Sequence, residues 1–445
     1  MLGKERILEL GAQILGISTA DETEALVISD ETALTRFANS AIHQNVFEVG
    51  VEVRVRAVLG GRIGVATTNS IDERSVRDVV DRAVTCARLA PATPDFHGLP
   101  EPQPIPQVET FSQTTASYTP ERRAADVKGI CEAALAEDLN ASGAWSNSEI
   151  EVGVTNSRGI SAYNLRSHAS LKTVVMAANS SGYAERTAVD ASQIDVAGAG
   201  QEAIDKALRS RNPVPVEPGD YTVVLEPYAV GTMLDYFASV GLGALALQEG
   251  RSFMNGHLGD RLLGTNITMW DDGLDPRGMP VPFDFEGVPK QRVMFFDRGA
   301  AIGVVYDSFT AGREGKRSTG HGLPAPNTWG PVPLNIFLAE GDASKEDLLR
   351  DIERGLWVSR FHYVNVVHPT QAILTGMTRD GTFLIEHGQL TRPVRNLRFT
   401  QSVLDALSHV EAIGRDAIML QDEWGGTRVP ALRIGRFTFS SATDF

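Results

Sequence analysis

In the stretch Ser318-Thr319-Gly320-His321-Gly322, hydroxyl side chains stand beside an imidazole. Nucleophilic catalysis uses that pairing: the imidazole takes the proton of the attacking oxygen. The base must be oriented by a third group, and the residues around Ser318 and His321 show none. A stand-alone hydrolase or peptidase acting through Ser318 and His321 is one reading. A Gly-rich structural or recognition loop is the other. Arg313, Lys316 and Arg317 place a local basic patch just ahead of the pair.

Metal chemistry has less to work with. The nine histidines are His43, His97, His168, His257, His321, His362, His368, His387 and His409, and none forms HExxH or HxH. His362 and His368 share a face of an expected strand, but six residues of strand separate them by about 20 Å, too far for one ion. An apolar helix expected at about 227–248 presents Asp235, Tyr236 and Val240 on its flank, and no histidine. Gly241-Leu242-Gly243-Ala244-Leu245-Ala246 matches GxGxxA inside that helix, not at a strand-to-helix turn, so the dinucleotide mechanism is missing. Gly315-Lys316 lacks the flanking residues of a phosphate-binding loop. The acidic residues Asp271, Asp272, Asp284 and Glu286 sit in turn-rich sequence and read as turn and surface groups. Cys86 and Cys131 lie on apolar-periodic segments and read as buried small hydrophobes of a reducing compartment.

The elements that must position these residues follow from periodicity. A short helix at 4–16 precedes strands at 24–39. Val51, Val53 and Val55 then alternate with Glu52, Arg54 and Arg56 as a half-buried strand. Gly60-Gly61 turns it into a hairpin, and Asp72 caps a helix with the stripe Val76, Val79, Val80, Ala83, Val84 and Ala87. Six prolines between 91 and 106 mark a stiff linker. A second helix-and-strand segment ends at Asn212-Pro213-Val214-Pro215. Beyond it Pro227 opens the apolar helix, with Val230, Met233, Leu234, Phe237 and Gly241 in one stripe. Hairpins dominate the remainder, and 311–333 is a long Gly/Pro-rich loop. The fold class is therefore α+β: α/β N-terminal segments followed by a larger β-rich C-terminal domain around a central core helix. The expected boundaries are 1–90, 110–212 and 219–445.

The totals narrow the function classes. At 445 residues there is room for two or three domains. A formal charge of −15 argues against sequence-independent nucleic-acid binding, which depends on neutralising phosphates. The start of the chain is charged from Lys4 and has no signal-like apolar run, and the apolar stretch 228–248 contains Asp235 and glycines. The expectation is a cytoplasmic protein with no membrane partner and no direct nucleic-acid partner.

Several stretches together resemble the TldD/PmbA family. Gly60-Gly61-Arg62-Ile63-Gly64-Val65-Ala66-Thr67-Thr68-Asn69 is similar to its GGR-x-G-x-A-x-TN hairpin. Asp284-Phe285-Glu286-Gly287, with the strand at 292–299, resembles its D-x-E-G segment. Lys316-Arg317-Ser318-Thr319-Gly320-His321 resembles the KSTGH loop of the PmbA (TldE) branch. Phe383-Leu384-Ile385-Glu386-His387-Gly388-Gln389-Leu390-Thr391-Arg392-Pro393-Val394 resembles the LIENG-x-x-x-x-PV hairpin.

The resemblance implies a TldD/PmbA-like fold and a relation to zinc peptidases. In the TldD branch the central helix carries HExxxH, and a cysteine near the C-terminus completes the site. Those positions fall here on Asp235 for the first ligand, Tyr236 for the general base and Val240 for the second ligand. The cysteine position falls near Trp424-Gly425. Valine cannot ligate, and a lone aspartate cannot hold tetrahedral zinc. The implied protein is a metal-free PmbA/TldE-like subunit, with no catalytic residue, metal or cofactor of its own. Its implied partners are a TldD-like metallopeptidase subunit, as a heterodimer, and a peptide or unstructured polypeptide substrate. Arg313, Arg317 and His321 are expected to line a peptide groove beside the central helix, where an extended chain could add as a strand.

Overall fold

The computed structural model describes residues 1–421 and 425–443. Its first layer is one antiparallel sheet ordered β3-β2-β1-β4-β5-β6. The strands are β1 (Glu22–Ala38), β2 (Ala41–Leu59), β3 (Arg62–Thr68), β4 (Asn140–Asn156), β5 (Ser161–Met176) and β6 (Ser181–Ala188). β1 is a single long strand, where two shorter ones were expected, and it pairs with β2 on one side and β4 on the other. The first and middle segments therefore share a sheet across the Pro-rich stretch. Their packing is more local. Helices α1 (Lys4–Ile17) and α2 (Glu73–Leu89) cover Val27, Val53 and Val55. Beyond the short α3 (Gln113–Ala116), helices α4 (Pro120–Ala136) and α5 (Val196–Arg209) cover Trp145, Leu171 and Phe37. Asp72 and Thr119 cap α2 and α4 by accepting from Ser75 and Arg122 N–H. Cys131 is buried, but Cys86 lies on the exposed side of α2, because the apolar stripe passes beside it.

Alternation along β1 and β2 sets what the other face does. Ala25 and Val27 point to the helices, whereas Leu26 joins Val152, Val154, Ile160 and Phe283 in a cluster on the opposite side. Glu24 and Arg56, paired across β1 and β2, lie on that opposite side too and are buried. The Arg56 end of the charged face therefore meets the C-terminal domain and not water.

The second layer is an eleven-stranded sheet. It comprises β7 (Gly219–Leu225), β8 (Met269–Asp271), β9 (Val293–Asp297), β10 (Ala300–Ala301), β11 (Asn335–Leu338) and β12 (Arg354–His368). The rest are β13 (Ile373–Glu386), β14 (Gln389–Pro393), β15 (Leu397–Ser402), β16 (Val410–Gln421) and β17 (Gly426–Ala442). β17 pairs with both β15 and β7, so β7, β12, β13, β15 and β17 close on themselves. The central helix packs on this sheet as expected, but it does not run to residue 248. It divides into α6 (Pro227–Gly241) and α7 (Ala244–Gln248). The Phe253 ring lies where a Gly241 side chain would be, and the Leu242 carbonyl accepts from Val305 N–H at 2.9 Å. Ala244 N–H returns a bond to the Val305 carbonyl at 2.9 Å, so the chain switches from helix to strand-like pairing there. Among the described residues no helix is long and apolar enough to cross a membrane.

Candidate functional site

The densest chemistry lies where the two layers meet. The loop between β8 and β9 is rich in Gly and Pro, but tertiary packing buries it. Asp271, Asp284 and Glu286 are 0%, 3% and 5% exposed, which corrects their reading as surface groups. Asp284 ties a tight turn: Oδ1 accepts from Glu286 N–H at 3.0 Å and Val288 N–H at 2.9 Å. Its Oδ2 accepts from Gly322 N–H at 2.7 Å, which draws in the 311–333 loop. Gly287 completes the turn at φ 76°, with Ile160 of the turn between β4 and β5 where a side chain would go. Glu286 then reaches Arg56 of β2, at 3.2 Å, and Arg56 also holds Glu24 at 2.6 Å. Burial, with Glu286 close by, pushes Asp284 up to about 7 and Asp307 up to about 6.

His321 is at the centre of this seam. It is fully buried, with Nε2 2.8 Å from Asp271 Oδ1 and Nδ1 2.9 Å from Thr319 Oγ1. Burial, followed by the Lys290 charge, pushes the imidazole below its ordinary value, so the neutral ring donates from Nε2 to Asp271. Asp271 Oδ2 accepts from Leu334 and Asn335 N–H at 2.8 and 2.7 Å. The third group that orients the imidazole is therefore Asp271, fifty residues away in sequence. The Ser318 hydroxyl is engaged elsewhere. Ser318 Oγ donates to the Tyr306 carbonyl at 3.1 Å and accepts from Gly320 N–H at 3.1 Å. Thr319 Oγ1 accepts from Tyr306 N–H at 2.8 Å. This geometry pins the loop to β8 and leaves Ser318 without contact to the imidazole.

Of the expected groove residues, His321 does not lie at the surface. Arg317 is exposed, Arg313 sits 3.4 Å from Asp95 with its guanidinium over Phe309, and His321 faces inward. His321 as a lining residue of an open groove is thus corrected: the loop folds back so that its imidazole satisfies a buried carboxylate.

The helix positions are placed as follows. Asp235 Oδ1 accepts from Thr427 Oγ1 of β17 at 2.5 Å. Tyr236 and Val240 are half-buried against the main core cluster. The donors do not suit zinc: Val240 has none, Tyr236 replaces a carboxylate base, and Asp235 is occupied by Thr427. Among the described residues no three His, Cys, Asp or Glu side chains converge as a metal site. Trp424 lies outside the described residues, whereas Gly425 lies within them.

What sequence reasoning missed are the buried ionic residues Glu24, Arg56, Asp271, Asp284, Glu286 and Lys290. The available signal was the charged alternation of β2 together with a D-x-E-G turn, two features that answer each other only in the fold.

Comparison with known proteins bears on all three regions. Family models of the PmbA/TldA metallopeptidases match residues 23–87 as domain 1, 114–211 as the central domain and 218–441 as the C-terminal domain. A metalloprotease PmbA homolog of Haemophilus influenzae is 24% identical over 419 residues, spanning 87% of this chain and 88% of that protein. A metalloprotease of Methanothermobacter thermautotrophicus is 24% identical over 228 residues, 50% of this chain and only 49% of its own length. The crystal structure of TldE from Thermococcus kodakarensis superposes with a TM-score of 0.88 at 20% identity, covering 98% of this chain and 99% of that one. The fold is thus α+β of the TldE kind, with a β-rich C-terminal portion.

Proposed function

The chain belongs to the PmbA/TldA (TldD/PmbA) metallopeptidase family, and from that premise we propose that it is a metal-free, TldE/PmbA-like subunit of a TldD-type peptidase. The complex would cleave peptides or unstructured polypeptides, in the cytoplasm, with the metal on the partner. The observation that carries this reading is the donor set on α6. The family resemblance assigns the two ligand positions and the base to Asp235, Tyr236 and Val240, and Asp235 is bonded to Thr427. The near full-length match to a PmbA homolog supports the same branch.

In this arrangement the chain supplies shape and binding, not proton transfer. The exposed Arg317 and the rim of the 311–333 loop would contact polypeptide, while the Asp271–His321 bond keeps that loop in place. The test is reconstitution. Purified chain, a TldD-like chain and their mixture are assayed on a fluorogenic peptide and on casein. Hydrolysis by the mixture alone, with co-elution of the two chains, is the expected result. Equal hydrolysis by this chain alone would replace the reading with a stand-alone enzyme.

A further inference from the structure

Two cations of the seam have no hydrogen-bonding partner among the described residues. Lys290 is 2% exposed, and its Nζ makes no hydrogen bond. Arg166 of β5 has a buried Nε, likewise without a partner. Both line one void of about 20 Å³, and Arg166, Val281 and Leu334 form the wall between it and a larger cavity of about 120 Å³. The larger cavity is bounded by Ile150 and His168 of the first sheet and by Met279, Asn335 and Gly425 of the C-terminal domain.

An ammonium buried without an acceptor carries a heavy desolvation cost, so such a group marks a site that something else completes. Asp271 and Asp284 attract the ammonium from nearby but make no hydrogen bond to it. Both oxygens of Asp271 are taken by His321 and by backbone N–H groups, and both oxygens of Asp284 are taken by the backbone. Burial pulls Lys290 below its ordinary value, against the attraction of Asp271 and Asp284 and with the repulsion of Arg166. The space is equally specific. The small void accepts about one oxygen-sized atom, and the larger cavity is well below the several hundred Å³ of a site for a drug-sized ligand. What fits is the end of a molecule.

We propose that Lys290 and Arg166 form an oxyanion site that receives a carboxylate, the free C-terminus of a bound peptide. One oxygen would take the Lys290 ammonium, and the other would face the Arg166 guanidinium, which suits a planar carboxylate. The cavity is well placed for this. Gly425 lines it, and two residues further along Thr427 holds Asp235 of α6. The peptide as source rests on the function proposed above; the oxyanion site itself does not. A free inorganic oxyanion shares the chemistry, and the test separates the two.

The isolated full-length chain is titrated calorimetrically with trialanine as the free acid, trialanine amide and inorganic phosphate. Arg166 modification by phenylglyoxal is mapped by mass spectrometry in the presence of each probe. The free acid is expected to bind at least about tenfold more tightly than the amide and to slow Arg166 modification. Lys290→Met and Arg166→Gln should each abolish that preference. Phosphate binding that protects Arg166, with acid and amide both inert, would keep the site and reject the peptide as its source. No protection of Arg166 by any probe, or acid and amide binding alike, would overturn the proposal, and neither reading depends on the variants folding. Reconstituted hydrolysis is scored separately, so a failed titration leaves the subunit assignment intact.

Discussion

Arg56 Nη1 lies 3.2 Å from Glu286 Oε1, and this contact joins the first sheet to the C-terminal domain. Both side chains are about nine-tenths buried, and the same guanidinium holds Glu24 at 2.6 Å. Removing the cation alone would strand two buried carboxylates. Arg56→Met should therefore destabilise the protein by about 3–5 kcal/mol. Adding Glu24→Gln and Glu286→Gln should restore much of that loss. Chemical unfolding measures both, and a loss below about 1 kcal/mol for Arg56→Met would remove this contact from the account.

The raised carboxyls of the same seam give a pH dependence. Asp284 titrates at about 7 and Asp307 at about 6 in the folded chain, because burial and then Glu286 disfavour their charge. Unfolded aspartates release their protons near pH 4, so in between the folded state binds more protons. That stabilises the fold at low pH, and the contribution is lost as the pH rises through the folded values. His168, pushed down to about 4 by burial and then Arg166, acts in the opposite sense, as do His321 and Lys290, which burial also pushes down. The Asp284 contribution should fall between about pH 4 and 7, read as the stability of the wild type minus that of Asp284→Asn. Asp284→Asn should flatten that slope while lowering stability at every pH, since an amide cannot accept all three of its N–H bonds. Denaturant titrations of both proteins across the window decide it, and a difference between wild type and Asp284→Asn that rises with pH would contradict it.

Arg317 and His321 separate surface from interior on the same loop. Arg317→Ala should leave stability within about 0.5 kcal/mol. It should weaken peptide capture by the assembled complex. His321→Ala leaves Asp271 buried without its imidazole and should cost about 3–5 kcal/mol. Thermal unfolding and peptide binding, measured on both variants, distinguish a recognition residue from a structural one. Equal stability loss for the two would show that the loop is misassigned.

Phe237 anchors α6. It is fully buried, and its ring stacks on Phe253 at 4.2 Å between centroids. Phe237→Ala should cost about 3–5 kcal/mol in chemical unfolding. A change under 1 kcal/mol would mean the stripe is not the core.

Local periodicity carried the reading as far as single elements. The Val51-to-Ala57 alternation, the Gly60-Gly61 turn and the α2 stripe were all legible, because each depends on neighbours within a few residues. Three features were not. The break between α6 and α7 is made by Phe253 and Val305 approaching two glycines, which a helical pattern does not reveal. The pairing of β1 with β4 joins residues more than a hundred apart. The burial of Asp271, Asp284, Glu286 and Lys290 arises because two layers close over a Gly/Pro-rich loop whose composition looks solvent-facing. The family resemblance alone assigns Asp235, Tyr236 and Val240 as candidate positions, and the bond from Thr427 to Asp235 was not legible in the sequence.

The central claim is that this chain contributes no metal centre, and zinc stoichiometry tests it most directly. The protein is purified without chelator, exchanged into zinc-containing buffer, desalted and analysed by elemental mass spectrometry, alone and with a TldD-like chain. The account predicts far less than one zinc per isolated chain, one zinc per heterodimer, and unchanged values for Asp235→Ala and Tyr236→Phe. Near one zinc per isolated chain, with chelator-sensitive hydrolysis and no partner present, would contradict it.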